Sequence, residues 1–184
     1  YSFSQINLYL KCPMAYEFAY IKKIPQRISY HAHFWTTIHK TLYLYLKRIK
    51  ENEESPSLFD ELHEDTSLNW LLEIFHNSWI SSGFKDKIHE EENKVRWEKI
   101  LKIFYEKNIK ENSKPLFLEK WFKLFFWDFI ISGRFDRVDK LEWNSVEIID
   151  YKTGKLRDEE LVKEDLQLHL YAIALKQMWY EPKK

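Results

Sequence analysis

Asp136, Asp150 and Lys152 lie in the stretch GRFDRVDKLEWNSVEIIDYKTG, residues 133–154. Apolar residues on both sides of a break at WNS predict two antiparallel strands joined by a short turn. With the turn centred near residue 142, Asp136 is predicted to lie opposite Ile148 and diagonal to Asp150. Side chains alternate along a strand, so Lys152 shares a face with Asp150. The two carboxylates and the ammonium group are therefore predicted to converge.

Such a convergence suits metal-assisted hydrolysis of a phosphodiester bond. Two adjacent carboxylates repel unless a cation lies between them, and hard oxygen ligands favour Mg²⁺ or Mn²⁺. Lys152 would steady the attacking water or the negative charge that grows on phosphorus. The alternative is that these side chains are solvated charges on an ordinary hairpin. Asp150 directly follows the apolar Ile148-Ile149 pair and Lys152 continues the same face, which favours a site because unpaired buried charge is costly.

The composition is that of a globular domain. The chain has 184 residues, of which 45% are hydrophobic and 32% charged, and this length suits one domain with a sizeable core. Lys and Arg total 29 and Asp and Glu total 29, so no overall basic charge indicates a nucleic-acid binder. Any attraction for DNA must come from local patches and from metal.

Cysteine usage and hydropathy predict an intracellular protein. Cys12 is the only cysteine, so no disulfide can form within the chain, and we interpret it as a small core residue. No signal peptide opens the sequence and no apolar run is long enough to span a membrane. We therefore expect a soluble, cytoplasmic protein without membrane association. Because the first residue is Tyr1 and not Met, we expect an excised domain or a processed chain.

Several elements must position the hairpin. Ser4 is predicted to cap a first helix in which Ile6, Leu8 and Leu10 help to fill a core face, and Pro13 to begin a second short helix. Apolar spacing over residues 31–50 predicts one long amphipathic helix. An acidic loop over 51–65, further helices near 68–79 and 90–105, and two strands within 116–131 follow. A final helix is predicted to bury a stripe that comprises Leu161, Leu168, Ala172, Leu175 and Trp179.

The motifs Gly133-Arg134-Phe135-Asp136 and Ile149-Asp150-Tyr151-Lys152 resemble those of the PD-(D/E)XK nuclease superfamily, in particular its RecB-like branch. Two more motifs of that branch occur in the expected order, His39 upstream and Gln167-x-x-x-Tyr171 downstream. Together the four span most of the chain. The resemblance implies a restriction-endonuclease-like α/β core, a small mixed β-sheet flanked by helices.

The resemblance also implies roles for these residues. Asp136 and Asp150 would bind the metal with His39, Lys152 would act in catalysis with the two aspartates, and Gln167 and Tyr171 would bind the substrate. Glu119 resembles a glutamate that supports the metal site, although an edge-strand charge explains it equally well. One departure concerns the position four residues before the histidine, where relatives commonly carry glycine and this chain has Trp35. Some relatives bind an iron–sulfur cluster through four cysteines, and we expect none within this chain.

The resemblance implies one nuclease domain over residues 1–184, with a helical insertion at about 51–112 and the catalytic sheet and following helix at about 116–180. The implied function is a DNA exonuclease of repair or recombination, dependent on Mg²⁺ or Mn²⁺ and working with a helicase domain or subunit. The alternatives are a non-catalytic DNA-binding module and a protein-docking domain that retains the fold.

Overall fold

The structure, a computed structural model, describes residues 1–25, 29–54, 65–111, 114–152 and 162–183. Within those ranges the helices are α1 (Phe3–Lys11), α2 (Pro13–Tyr16, continued by a π-helical segment Glu17–Ile21), α3 (Tyr30–Glu54), α4 (Leu68–Ser78), α5 (Lys87–Glu111) and α6 (Leu166–Gln177). The strands are β1 (Pro115–Phe125), β2 (Ile130–Lys140), β3 (Ser145–Ile149) and β4 (Glu181–Pro182).

The four strands form one mixed sheet in the order β1-β2-β3-β4. Strands β2 and β3 pair antiparallel, whereas β3 and the two-residue β4 pair parallel. Helix α1 contacts β2 and α6 contacts β3. This α/β architecture, with a small mixed sheet and flanking helices, confirms the predicted fold class.

The chain forms two compact units. The sheet unit comprises residues 1–27 and 119–184, and the helical unit comprises residues 28–118. Among the described residues, no helix has both the length and the apolar character needed to cross a membrane.

The helical unit is organised by the long helix that the sequence predicts. Buried side chains recur every three or four residues along α3, which is the pattern of a helix with one apolar face; they are Phe34, Thr37, Ile38, His39, Thr41, Leu42, Tyr45 and Leu46. Helix α3 packs against α4, and α4 packs against α5. The predicted loop over 51–65 begins later than expected, because residues 51–54 still belong to α3. Residues 55–64 lie outside the described part of the chain.

The start of the sheet unit differs from the prediction at the helix cap. Ser2, not Ser4, caps α1: its hydroxyl accepts from the Gln5 amide while the Gln5 side chain accepts from the Ser2 amide. The predicted core role of α1 is also wrong, since none of its residues is buried and Leu10 is 69% exposed. Cys12 is only partly buried. Pro13 begins α2 as predicted.

The central hairpin is present, with a register two residues away from the predicted one. Val138 pairs with Ile148 and Arg137 with Ile149, so Asp136 comes opposite the position of Asp150. The turn accommodates the difference because Trp143 adopts a left-handed conformation with φ of 55°. A shift of two residues keeps every side chain on its predicted face.

Two other predictions fail locally. The segment 116–131 forms one long strand, β1, and the start of β2, instead of two complete strands. The buried face of α6 comprises Leu170, Tyr171, Ala174 and Leu175, so of the four stripe residues that the structure describes, Leu175 alone is buried. Trp179 follows the end of the helix and is 87% exposed. Leu161 lies outside the described residues.

Gly133 in β2 is required by close packing. A β-carbon at this position would lie 2.4 Å from Cζ of Phe122, whose ring packs against Phe135 and Tyr171. The absence of a side chain at Gly133 therefore lets the aromatic core of the sheet unit form.

We predict that Gly133→Ala lowers the free energy of unfolding by about 1–3 kcal/mol, because the Phe122 ring must move away from the new methyl group. Urea unfolding measures this cost. The cost should shrink in a Phe122→Leu background, since the smaller side chain leaves room for the methyl group. An equal cost in both backgrounds would contradict the steric explanation.

Candidate active site

Asp150, Lys152 and Gln167 form a closed hydrogen-bonded set in the sheet unit. The Lys152 Nζ lies 2.5 Å from Asp150 Oδ2 and donates to Gln167 Oε1 at 2.8 Å. The Gln167 Nε2 donates to Asp150 Oδ1 at 3.0 Å. Asp165 caps α6 by accepting from the Gln167 amide, which fixes Gln167 in the first turn of the helix. The sequence motifs Asp-x-Lys and Gln-x-x-x-Tyr therefore meet in space.

Tyr171 extends this set by one helical turn. Its hydroxyl accepts from Gln167 Nε2 at 2.7 Å and donates to the backbone oxygen of Arg134 at 2.7 Å. Burial raises the pKa of the Tyr171 phenol well above its usual range, and the carboxylates of Asp150, Asp136 and Glu119 add to this effect. Tyr171 consequently stays neutral and holds Gln167 in place as a buried donor and acceptor.

Asp136 and Glu119 bring carboxylates together beside this set. The buried Asp136 accepts a hydrogen bond from the Tyr151 amide at 2.9 Å, directly next to Asp150 in the chain. One carboxylate oxygen of Asp136 and one of Glu119 lie within 4.8 Å of each other. Like charges at this separation are offset most directly by a cation between them. This donor set of hard oxygens fits Mg²⁺ or Mn²⁺.

The backbone at Glu119 is strained in a way that sequence reasoning did not reveal. Its φ is +47°, although it lies within β1 and is not a glycine. Such conformations cost free energy and cluster at functional sites. The Glu119 side chain is 15% exposed, and Oε2 lies 2.7 Å from Nε of Arg134. The positive φ turns the Glu119 side chain away from the direction that regular strand alternation would give it.

The opposite face of the hairpin carries a buried ion pair that the sequence analysis missed. Arg137 holds Asp139 through two contacts, Nε to Oδ1 and Nη2 to Oδ2, each at 2.5 Å, and Nη1 donates to the Tyr151 hydroxyl at 3.4 Å. Burial alone would lower the pKa of Arg137, but the Asp139 contacts and the neighbouring Tyr151 raise it overall, so the guanidinium stays charged. Strand alternation was the available signal, since residues 137, 139 and 151 are out of phase with 136 and 150.

His39 belongs to the helical unit, where it is a buried residue of α3. Its imidazole ring lies 4.0 Å from the ring of Trp35, centroid to centroid, with 32° between their planes. The tryptophan at the position where relatives commonly carry glycine thus packs on the histidine ring.

Comparison with known proteins assigns the chain to a known class. The family model described as the PD-(D/E)XK nuclease superfamily matches residues 1–184, which includes both units. No curated protein matches the chain closely enough to be compared with it.

The structure predicts a loss of stability in strong alkali that depends on Tyr151. Burial raises the pKa of this phenol to about 12, from 10 in water, although the Arg137 guanidinium lowers it in part. A raised folded-state pKa stabilises the fold below pH 10, and the contribution is lost as pH rises from about 10 to about 12. The loss should be roughly 2 kcal/mol.

Tyr151→Phe removes this titration, so its unfolding free energy should fall less than that of the wild type between pH 10 and 12. Chemical denaturation at pH 8, 10 and 12 measures the difference. Other tyrosines titrate in both proteins, and therefore only the difference between the two curves is informative. An equal fall in unfolding free energy for the wild type and Tyr151→Phe would contradict the raised pKa of Tyr151.

Proposed function

Because this chain belongs to the PD-(D/E)XK nuclease superfamily, we propose that it is a divalent-metal-dependent nuclease that hydrolyses phosphodiester bonds in DNA. The observation that supports this most strongly is the hydrogen-bonded set of Asp150, Lys152 and Gln167 beside the carboxylates of Asp136 and Glu119. Carboxylates grouped with one ammonium suit a reaction at phosphate and give no advantage to a passive hairpin.

We propose that Asp136 and Asp150 bind the metal, with His39 as a third ligand and Glu119 as a further carboxylate. The paired oxygens of Asp136 and Glu119 provide the chemistry that Mg²⁺ and Mn²⁺ prefer, and an imidazole favours Mn²⁺. When bound, the cation would neutralise these carboxylates and stabilise negative charge on the phosphate. Lys152 contacts Oδ2 of Asp150 and its side chain is 44% exposed, so it can move from that oxygen when a cation binds, while Gln167 still donates to Oδ1.

Lys152 is the proposed catalytic cation. Asp150 and Gln167 each accept one of the three N–H groups of its ammonium, which leaves one solvent-accessible donor for the attacking water or for a phosphate oxygen. Gln167 would align Lys152 and Asp150 and contact the substrate backbone. Tyr171 is buried and its hydroxyl donates to the Arg134 carbonyl, so we propose that it acts on the substrate indirectly, by positioning Gln167.

The remaining features of the proposal rest on the family resemblance. They are membership of the RecB-like branch, exonuclease action in DNA repair or recombination, a helicase domain or subunit as partner, and a cytoplasmic location. A single nuclease domain over residues 1–184, with residues 51–112 as a helical insertion, is supported by one family match across both units.

The first test is hydrolysis of end-labelled single-stranded and duplex DNA with Mg²⁺, with Mn²⁺ or with EDTA. We predict metal-dependent cleavage that Asp136→Asn, Asp150→Asn and Lys152→Met each reduce at least about 100-fold, because each removes charge from the reacting centre. Glu142→Gln, at an exposed carboxylate in the β2–β3 turn, should cleave like the wild type.

If no DNA is cleaved under any condition and calorimetry detects no Mn²⁺ binding, the nuclease proposal is wrong. The chain would then be a DNA-binding or protein-docking domain that retains the fold. Cleavage that survives Lys152→Met at full rate would instead remove the proposed role of Lys152 and leave the nuclease assignment intact.

The second test measures metal binding without turnover. We predict that Mn²⁺ raises the melting temperature of the wild type, since a ligand at 100 times its Kd stabilises the folded state by about 2.7 kcal/mol. Glu119→Gln should weaken this shift, because it removes one of the two paired carboxylates. The shift in Glu142→Gln should match the wild type. A full Mn²⁺ shift in Glu119→Gln would exclude Glu119 as a ligand.

A further inference from the structure

One face of β1 exposes aromatic and basic side chains in alternation. Trp121 is 69% exposed and Phe125 is 67% exposed, with the exposed Lys123 between them. The intervening Phe122 and Leu124 are buried, as strand alternation requires. Trp121 and Phe125 are separated by about 13–14 Å along the strand. This row, Trp121-Lys123-Phe125, is called the aromatic row below.

The aromatic row is joined to the candidate active site by Arg134. The guanidinium carbon of Arg134 lies 5.6 Å from the centre of the Trp121 ring, and its Nε lies 2.7 Å from Oε2 of Glu119. The backbone oxygen of Arg134 accepts from the Tyr171 hydroxyl. Arg134 therefore contacts both the Trp121 ring, where a ligand would stack, and Glu119, one of the carboxylates proposed to bind metal.

The chemistry of the row matches an unpaired nucleic-acid strand. Every nucleobase has an aromatic face that can stack on Trp or Phe, and Lys and Arg between such rings neutralise the phosphates. A duplex keeps its bases stacked on each other and offers no free face to Trp121. The chain has equal numbers of basic and acidic residues, so local cations such as Lys123 and Arg134 must supply the attraction for phosphate.

We propose that the aromatic row is a base-stacking subsite that holds single-stranded DNA beside the carboxylates, with Trp121 as its central contact. The inference rests on the proposed nuclease function and names the form of substrate that the site receives. Trp121 would stack the base next to the scissile phosphate, Lys123 would contact the adjoining phosphate, and Phe125 would stack a base farther along the strand.

Fluorescence anisotropy of a 5′-fluorescein dT15 oligonucleotide tests the subsite in EDTA, where the metal-dependent reaction does not run. We expect Trp121→Ala to weaken dT15 binding about tenfold, within the range measured for loss of one stacked base. Trp121→Phe should retain most of the affinity because it keeps a ring. Trp143→Ala is the matched control, since Trp143 is 93% exposed in the β2–β3 turn and should not affect binding.

A 15-base-pair duplex separates stacking from charge attraction. Its affinity should be the same for the wild type and Trp121→Ala, because duplex binding uses phosphate contacts alone. Equal dT15 affinity in the wild type and Trp121→Ala, or an equal loss in Trp143→Ala, would overturn the proposal and make a protein contact the better explanation of the exposed face.

Failure of the stacking subsite can be distinguished from failure of the proposed nuclease function. Trp121-dependent dT15 binding without cleavage in Mn²⁺ would support the subsite and contradict the proposed nuclease activity. Metal-dependent cleavage with dT15 binding unchanged in Trp121→Ala would support the proposed nuclease activity and contradict the proposed subsite.

Discussion

Buried negative charge is the constraint on which the sheet unit depends. Two carboxylates in or beside the hairpin have a cationic partner, because a charge removed from water without one is very costly. Asp139 has the Arg137 guanidinium and Asp150 has the Lys152 ammonium group. The partners differ in exposure: the Arg137 side chain is 3% exposed and that of Lys152 is 44% exposed. The buried Arg137–Asp139 pair is fixed within the fold, whereas the Lys152–Asp150 pair can rearrange, as the role proposed for Lys152 requires.

Aromatic packing sets where those charges meet. The rings of Phe122, Phe135 and Tyr171 contact one another edge to face or tilted, and Gly133 leaves the space that Phe122 fills. Tyr171 belongs to both this cluster and the hydrogen-bonded set. Packing of its ring therefore determines where α6 presents Gln167, and Gln167 in turn fixes Lys152 and Asp150. A change in the packing of the Tyr171 ring would thus shift the position of the Lys152 ammonium group.

The sequence predicted the parts of the site that depend on period and spacing. The faces of the hairpin and the long helix α3 follow from regular alternation or helical repeat, whereas the role of Gln167 was predicted only from the family resemblance. The errors occur where the backbone departs from regularity. Trp143 and Glu119 adopt positive φ without being glycine, so nothing in residue type signalled the hairpin register or the aim of Glu119. The α6 stripe failed because an apolar helix offers several equivalent faces.

Local packing also explains why a tryptophan precedes His39. Residues four apart on a helix are neighbours on one face, and the rings of Trp35 and His39 lie 4.0 Å apart. A glycine at that position would allow another element to approach the helix closely, but it would remove the ring contact with the imidazole. Trp35 instead restricts the ring of a buried histidine through contacts made within α3 itself. A ligand held in one rotamer loses less conformational entropy when it binds a metal. The departure from the usual glycine is therefore compatible with the metal-binding role proposed for His39, because orientation is supplied from the same helix.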